Sequence, residues 1–309
     1  MAKSYLRIGG RNPFTILNDL HVTYRVQSAN LARDVAAVIA TTGQDTATIE
    51  GLLGAPLQGR DILEIGSGPK PTALHVLART NRCIGIDIEK PPERLTLREA
   101  ARIWRENGAL RLVKTTARHA LGLQARYIAE VSRQLGVPVA ELKLDIRVAD
   151  AAAMPFAQAS FDVVYSKSVF EHLPDLPAVI REARRVLRPG GVACIFTHLY
   201  TSHTGPHDPR LFEDPAALPP WSHLRPGLSD RVRPNAYVNK LRLDDYRRLF
   251  AADWPGCDFR LLTAAQPSAQ DLAALRAAGE LAGYRDEELL ASVLVTTWKK
   301  PPDGGAGAA

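Results

Sequence analysis

The feature that most constrains this fold is a short apolar run that stops abruptly at two glycines. Residues 61–71 read "DILEIGSGPKP", so five strand-like residues lead directly into Gly66-Ser67-Gly68. Glycine lets a backbone approach a group that a side chain would exclude, and it adopts conformations that other residues avoid. A strand that ends in such a turn predicts a ligand at its tip, and the chain has to fold so that this tip is accessible.

Similar apolar runs recur along the chain. They predict strands at 61–65, 83–88, 145–149, 161–166, 192–198, 259–263 and 292–298. Near-continuous runs of Val, Ile and Leu are typical of strands buried on both faces, and such strands occur in parallel sheets covered by helices. The sequence therefore predicts an α/β fold with a mostly parallel sheet.

Helical segments fill the intervals between these runs. We predict two helices within 28–53, beginning near Ser28 and near Gln44-Asp45. Further helices are predicted at 71–79, 176–187, 243–250 and 268–280. Pro189-Gly190-Gly191 is expected to close the helix at 176–187, because proline and glycine end helices.

The connection 91–141 is longer than one crossover helix requires, which indicates an inserted helical hairpin. Its expected apolar face follows helical spacing and consists of Leu121, Ala125, Ile128, Ser132 and Leu135. We therefore divide the chain into a helical N-terminal cap (1–59), a main domain (60–300) and a flexible tail (301–309). The main domain contains this insertion and a long loop region at 199–242.

Composition excludes several classes of protein. The chain is 46% hydrophobic and 23% charged, which is ordinary for a globular protein. It has neither an apolar run long enough to span a membrane nor the apolar stretch of a signal peptide. The three cysteines have no metal-ligand spacing, so we expect buried thiols in a reducing cytoplasm. Residues 89–144 hold eleven Lys or Arg against six Asp or Glu, which indicates a basic patch or a solvated helix face.

Three known nucleotide-binding motifs do not match the glycine turn. A kinase-type loop requires G-x-x-x-x-G-K-[ST], but here Lys70 stands before Pro71 without that spacing. A dinucleotide fingerprint requires a third glycine where this chain has Pro71. A short-chain dehydrogenase would need Tyr-x-x-x-Lys, which the sequence lacks.

Acidic residues at the strand ends favour a different ligand. Glu64 lies just before the loop and suits a cationic or amine-bearing group. Asp87 ends the second strand, where a carboxylate can accept from both hydroxyls of a ribose. Asp150 follows the third strand, near the expected place of a base amine. An amino-acid tail, a ribose and an adenine together satisfy all three carboxylates, and S-adenosyl-L-methionine has these parts.

The motifs also carry a family resemblance. The series "LEIGSGPKP", "IGIDIE" and "VADAAAMPFAQASFDVVYSKSVFEHLPDLPAVIREARRVLRPGG" resembles the class I S-adenosylmethionine-dependent methyltransferases, in the branch that methylates small molecules and isoprenoids. The resemblance covers roughly residues 60–198. It implies a Rossmann-like, seven-stranded sheet of order 3-2-1-4-5-7-6. Lys70 replaces the third loop glycine of that family, which leaves the path of the loop open.

The resemblance also implies roles for individual residues. The methionine part of the cofactor is expected to contact Glu64, Gly66, Ser67 and Gly68. The nucleoside is expected to contact Asp87 at the ribose and Ile88, Asp150 and Ala151 at the adenine, and Ser166 is expected beside the sulfonium. Two structural alternatives stay open, because Asp87 can simply cap the next element and Ser166 can simply be a helix N-cap.

Histidines concentrate where the acceptor of the methyl group is expected. The loop after the fifth strand reads "THLYTSHTGPHD", and we predict that His198, His203 or His207 is a catalytic base. We favour His198, with an ordinary imidazole pKa near ~6.5. The competing interpretation makes the three histidines and Asp208 metal ligands, but their spacing matches no established motif, so no metal site is predicted. His172 in "FEHL" is read as a packing residue.

The expected acceptor is a small molecule, such as a sugar or a secondary metabolite, methylated on oxygen or nitrogen. One alternative is an RNA or an acidic protein docked on the basic stretch 89–144, and another is a non-catalytic binding protein. Nucleic acid is not expected, because "YSKS" stands where base-amine methyltransferases often carry Asn/Asp-Pro-Pro-Tyr/Phe. The remaining expectations are a homodimer formed through the insertion and the absence of a membrane span.

Overall fold

The structure, a computed structural model, describes residues 29–88, 96–108, 112, 115–116, 122–264 and 267–302. Much of the predicted N-terminal cap, part of the basic insertion and most of the tail therefore lie outside the described residues. The proposed domain boundaries and the homodimer stay predictions.

Seven strands form one sheet of order β3-β2-β1-β4-β5-β7-β6, which confirms the predicted fold. The strands are β1 Asp61–Ile65, β2 Arg82–Asp87, β3 Asp145–Val148, β4 Phe161–Lys167, β5 Leu187–His198, β6 Asp258–Thr263 and β7 Ala291–Lys299. β7 runs antiparallel to both of its neighbours, whereas β1 to β5 are mutually parallel. The carboxyl ends of β1, β2, β4 and β5 thus meet at one edge, where ligands bind in open α/β sheets.

Helices cover both faces of this sheet. They are α1 Leu31–Leu53, α2 Thr72–Leu77, α3 Leu97–Asn107, α4 Leu123–Leu135, α5 Leu176–Val186, α6 Pro209–Glu213, α7 Leu243–Asp253, α8 Ala269–Ala277 and α9 Asp286–Leu290. Within the ranges that the structure describes, no helix combines the length and the apolarity that crossing a bilayer requires.

Each face of the sheet has its own core. On one face, Ile180 of α5 and Phe250 of α7 pack with the strands in a cluster of fully buried side chains. On the other face, Ile49 of α1 and Leu74 of α2 pack on β1 and its neighbours. α1 is also tied to β4, because the Tyr165 hydroxyl donates to the Asp45 carboxylate over 2.7 Å. The result is the three-layer arrangement expected of a doubly wound fold.

The segment predicted as two helices is one continuous helix, so that prediction is wrong. α1 runs through Thr41 and Thr42, whose hydroxyls donate back to the Val38 carbonyl over 3.2 and 2.7 Å. These bonds satisfy the hydroxyls inside the helix, and the segment contains no proline to break it. The helix ends at Gly54, which adopts a left-handed conformation with φ 71°.

The predicted apolar face of the insertion is confirmed at Leu135 but wrong at Ala125 and Ile128. In α4 the buried residues are Tyr127, Val131 and Leu135, whereas Ala125 and Ile128 are exposed. Tyr127 and Val131 pack against Val35 of α1. The face is therefore chosen by a partner helix that is distant in sequence, which spacing within the segment does not reveal. Leu121 lies outside the described residues.

Pro189-Gly190-Gly191 does not close the preceding helix. α5 ends at Val186 and β5 begins at once with Leu187, which pairs with Phe161 of β4. The three residues lie within β5 at a register irregularity opposite Phe161 and Val163. The Gly190 amide donates to the Lys300 carbonyl over 2.9 Å, so the glycines join the strand to the chain that follows β7.

Candidate functional site

The loop after β1 depends on its glycines. Gly66 and Gly68 have φ values of 77° and 63°, in the left-handed region that side chains disfavour. A Cβ on Gly66 would lie 2.2 Å from a methyl carbon of Val169, so no side chain fits there. The Gly66 amide donates to the Ile86 carbonyl of β2 over 2.7 Å. The loop therefore folds closely over the ends of β1 and β2.

Two buried polar atoms in this loop have no hydrogen-bond partner. They are Oε2 of Glu64 and Oγ of Ser67, and both residues are only 6% exposed. Burial, reinforced by the nearby charge of Asp87, raises the pKa of Glu64 to about 8. Unpartnered buried polar groups are costly and often mark ligand sites. A ligand with an ammonium group fits beside Glu64, since it would pair with the carboxylate.

Asp87 connects the end of β2 to the same loop. Its Oδ2 accepts a hydrogen bond from the Gly68 amide over 3.0 Å. The carboxylate thus bonds the preceding glycine loop. Ile88 is the next residue in the chain. This position agrees with the place that the resemblance assigns to a ribose.

The other predicted cofactor residues lie on β4 and after β3. Ser166 is inside β4 and fully buried, and its hydroxyl donates to the Ile65 carbonyl over 2.8 Å, so it is not a helix N-cap. Asp150 accepts from the Ala152 amide over 2.8 Å, and Ala151 is buried. An adenosyl amino acid thus fits the residues present, with its amine beside Glu64 and its nucleoside along the ends of β2 and β3.

A second group of titratable side chains lies at the ends of β4 and β5. We call it the His–Glu cluster, and it consists of Glu171, His172, His198 and His207. Nδ1 of His198 lies 3.2 Å from Nε2 of His207. Oε1 of Glu171 lies 3.8 Å from Nε2 of both His172 and His207. A one-turn helix at Phe170–His172, just after β4, brings Glu171 and His172 to the end of β5.

Burial dominates the electrostatics of the His–Glu cluster. Glu171 is fully buried, and burial raises its pKa to about 8. Burial, with a smaller contribution from neighbouring imidazoles, lowers the pKa of His198 to about 4 and that of His207 to about 3. The expectation of an ordinary imidazole pKa at His198 is therefore wrong, because the ring is almost fully desolvated.

Hydrogen bonds occupy both ring nitrogens of His198. Nδ1 contacts His207, and Nε2 lies 2.9 Å from Oγ1 of Thr204 and 3.2 Å from Oγ of Ser202. By contrast, the side chain of His172 is 29% exposed. Nδ1 of His172 lies 2.5 Å from the Tyr237 carbonyl, which can only accept, so Nε2 carries the lone pair of the neutral ring. Of these two rings, His172 is the one able to meet an acceptor.

The structure separates His203 from the other two histidines predicted as catalytic. Nδ1 of His203 accepts from the Trp221 amide over 3.1 Å, and its Nε2 donates to the Pro215 carbonyl over 2.8 Å. His203 therefore orders the long loop. Asp208 is bonded to Arg210 and to the Arg233 amide, so it does not join His198 and His207 either.

Glu171 is the residue that sequence reasoning missed. It lies within "FEHL", four residues after the end of β4 at Lys167. A carboxylate a few residues after a buried strand, at the ligand-binding edge of the sheet, is the signal that indicates it. The neighbouring His172 is part of the same cluster, so it is more than the packing residue that the sequence indicates.

The glycine loop and the His–Glu cluster adjoin each other. Val169, whose methyl groups leave no room for a side chain on Gly66, stands two residues before Glu171. The same turn thus packs on the glycine loop and carries Glu171 and His172. The two groups form one continuous site along the edge of the sheet.

Part of the chain is similar in sequence to known methyltransferases. Residues 111–195 match a family described as a methyltransferase domain. The chain is 30% identical over 122 residues to the chloroplastic tocopherol O-methyltransferase of Arabidopsis thaliana, a match covering 36% of this chain and 32% of that protein. It is 29% identical over 177 residues to the malonyl-[acyl-carrier protein] O-methyltransferase of Enterobacter lignolyticus, covering 57% of each.

A solved structure is also similar. It is phosphoethanolamine N-methyltransferase 2 of Haemonchus contortus with phosphomonomethylethanolamine and S-adenosylhomocysteine, which has 14% identity and a TM-score of 0.47. The match covers 84% of this chain and 53% of that one. The chain thus spans less than two thirds of the length of the two curated relatives, with 32% and 57% covered.

Proposed function

We propose that this chain, which belongs to the class I S-adenosylmethionine-dependent methyltransferases, transfers the methyl group of that cofactor to a hydroxyl oxygen of a small molecule. The observation that carries this proposal is the glycine loop with two unpartnered buried polar atoms, on Glu64 and Ser67. That loop adjoins a cluster of imidazole and carboxylate groups suited to managing a proton.

The cofactor residues have separate tasks in this proposal. Glu64 and Ser67 bind the amino-acid part, and Gly66 and Gly68 admit it against the backbone. Asp87 holds the ribose hydroxyls. When bound, S-adenosyl-L-methionine supplies an electrophilic methyl group on a sulfonium sulfur.

The acceptor binds at the His–Glu cluster, where two aromatic side chains are exposed. Phe212 is 52% exposed and Tyr237 is 37% exposed. The Phe212 ring meets the His207 ring edge to face, with centroids 5.9 Å apart. Large exposed aromatic rings beside a polar cluster are typical of small-molecule sites. We therefore propose an acceptor that has an apolar or aromatic body and a hydroxyl group.

His172 is the proposed general base. Its Nε2 takes the hydroxyl proton as the acceptor oxygen forms its bond to the methyl carbon. The sulfur–methyl bond breaks, its electron pair stays on sulfur, and the products are a methyl ether, S-adenosylhomocysteine and a proton on His172. Glu171 lies close enough to stabilise that proton, because its Oε1 is 3.8 Å from Nε2. The names of the two curated relatives, both O-methyltransferases, support oxygen as the target.

Calorimetric titration with S-adenosyl-L-methionine tests the cofactor assignment. Asp87→Ala should weaken binding by roughly ten- to a hundredfold, because a charged acceptor is lost from a partly desolvated site. The matched control is Asp258→Ala, at an exposed position on β6 away from this edge of the sheet. Equal affinity in the two variants would contradict the proposal. Methyl transfer from labelled cofactor into fractionated metabolites would then identify the acceptor.

A further inference from the structure

We propose that Glu171, His198 and His207 bind one divalent transition-metal ion of the Zn²⁺ or Fe²⁺ type. This reverses the expectation from the sequence that the chain has no metal site. The ion would polarise the acceptor hydroxyl, a role that rests on the proposed function. The binding of the metal does not rest on it and can be tested without cofactor or acceptor.

The separations of the ligand atoms carry this inference. One ligand atom from each of the three residues lies within 4.8 Å of the others. His198 Nδ1 and His207 Nε2 are 3.2 Å apart, and His207 Nε2 and Glu171 Oε1 are 3.8 Å apart. Bonds of ~2.0–2.1 Å in a tetrahedral site place ligand atoms ~3.3 Å from each other. The observed separations therefore suit an ion between the three atoms with little movement.

The carboxylate is already oriented for a ligand. Oε2 of Glu171 accepts from the His198 amide over 3.3 Å, whereas Oε1 is buried and has no hydrogen-bond partner. In the described part of the chain, the basic groups within ion-pair distance of Glu171 are the neutral imidazoles of His172 and His207. A fully buried carboxylate with one unpartnered oxygen and no Lys or Arg partner is costly unless a cation joins it.

The surroundings of His198 match those of a metal-binding histidine. Such a ring usually donates its second N–H to a nearby oxygen, which fixes its tautomer. Nε2 of His198 lies within hydrogen-bond distance of the Thr204 and Ser202 hydroxyls. When Nε2 donates to Thr204, Nδ1 directs its lone pair towards His207. Two imidazole nitrogens facing each other at 3.2 Å repel unless a proton or a metal ion lies between them.

The set of ligands indicates the class of metal. Two imidazoles and one carboxylate suit Zn²⁺, Fe²⁺, Co²⁺ or Mn²⁺, whereas Mg²⁺ and Ca²⁺ prefer oxygen ligands. Three protein ligands leave a coordination position open, as in catalytic rather than structural sites. The acceptor oxygen would take that position, and its proton would pass to His172 as in the proposed reaction.

The test measures metal binding directly. Protein stripped with a chelator is titrated with Zn²⁺ by calorimetry and with Co²⁺ by visible absorption. We expect one ion per chain and Co²⁺ bands of a four- or five-coordinate site. His207→Gln and Glu171→Gln should each lower the metal affinity by at least roughly a hundredfold. The control is His203→Gln, in the same loop but outside the cluster, which should bind one ion like the wild type.

Thermal unfolding and cofactor titration complete the test. Zn²⁺ should raise the melting temperature of the wild type and of His203→Gln, but not that of the two ligand variants. The wild type and the three variants should all keep their affinity for S-adenosyl-L-methionine. Loss of metal binding with unchanged cofactor affinity would therefore contradict the metal site alone, and loss of cofactor binding would contradict the proposed function. If His207→Gln does not unfold cooperatively, the result with Glu171→Gln decides whether the metal site exists. The side-chain oxygen of that glutamine can still accept a hydrogen bond from the His198 backbone amide. Absence of binding to the wild type, or equal binding in all variants, would overturn the metal site.

Discussion

The cofactor side of the site, at the ends of β1 and β2, and the acceptor side, at the ends of β4 and β5, are built in different ways. The first side consists of one continuous segment, residues 64–68 at the end of β1 and in the glycine loop, and one carboxylate on the adjacent strand. The second combines a one-turn helix after β4 with His198 at the end of β5 and His207 from the loop that follows. The backbone conformation of one segment therefore determines the geometry of the cofactor side, whereas the packing of segments distant in sequence determines the geometry of the acceptor side.

The two sides nevertheless have one electrostatic feature in common. Each contains a buried glutamate with an unpartnered oxygen, and burial raises the pKa of Glu64 and that of Glu171 alike to about 8. Each glutamate gains most from a nearby positive charge. On the cofactor side the ligand brings that charge, and on the acceptor side we infer a metal ion. The following predictions separate the two sides, from the largest expected effect to the smallest.

The largest effect is expected at His172. His172→Gln can still donate to the Tyr237 carbonyl but has no basic nitrogen. Turnover should fall about 10²- to 10⁴-fold, while the dissociation constant of S-adenosyl-L-methionine stays the same. Single-turnover kinetics together with calorimetry would measure both quantities. Turnover within about threefold of the wild type would show that the base lies elsewhere or that the acceptor needs none.

A smaller effect, on the cofactor side, is expected at Gly66. Gly66→Ala places a methyl group against Val169 and forces an alanine into a left-handed conformation that costs about 1–2 kcal/mol. Affinity for the cofactor should drop at least about tenfold. The double variant Gly66→Ala with Val169→Ala removes the colliding methyl groups and should recover part of the loss in calorimetric titrations. If it recovers nothing, the Val169 contact does not shape the loop.

The smallest effect is expected at Glu64, in the number of protons that are released when the cofactor binds. With a pKa of about 8, this carboxyl is mostly protonated at pH 7 before the cofactor binds. A bound cation favours the ionised form, so binding at pH 7 should release up to about one proton, and above pH 9 almost none. Calorimetry in buffers of different ionisation enthalpy measures this number. Glu64→Gln should abolish the release, and an unchanged value in that variant would assign the proton to another group.

The strands were well predicted, because each is encoded by a local apolar run, and the family resemblance implied their order. The residues assigned to the cofactor stay a prediction. The loop 64–68 and Asp87 are next to strands whose apolar runs are unmistakable. Glu171 was missed because its significance depends on His198 and His207, which reach it only through the pairing of β4 with β5. The buried face of α4 was partly wrong for a similar reason, since α1 selects it.

The histidines show the same limit at the level of single residues. His198, His203 and His207 are close in sequence and alike in composition, so no pattern distinguishes them. The fold of the loop brings two of them together and uses His203 to hold Trp221. His203 is set apart by two hydrogen-bond partners, Pro215 and Trp221, that lie 12 and 18 residues further along the chain. Local spacing of the histidines carries no information about these partners.

The contact between Gly66 and Val169 also limits how such a protein can evolve. A larger residue at position 66 requires a smaller one at 169, so the two positions should change together or not at all. The loop at 199–242 takes no part in this contact, and of the His–Glu cluster it carries only His207. A lineage can therefore acquire new acceptors by altering that loop, while the turn that joins the two sides is inherited unchanged.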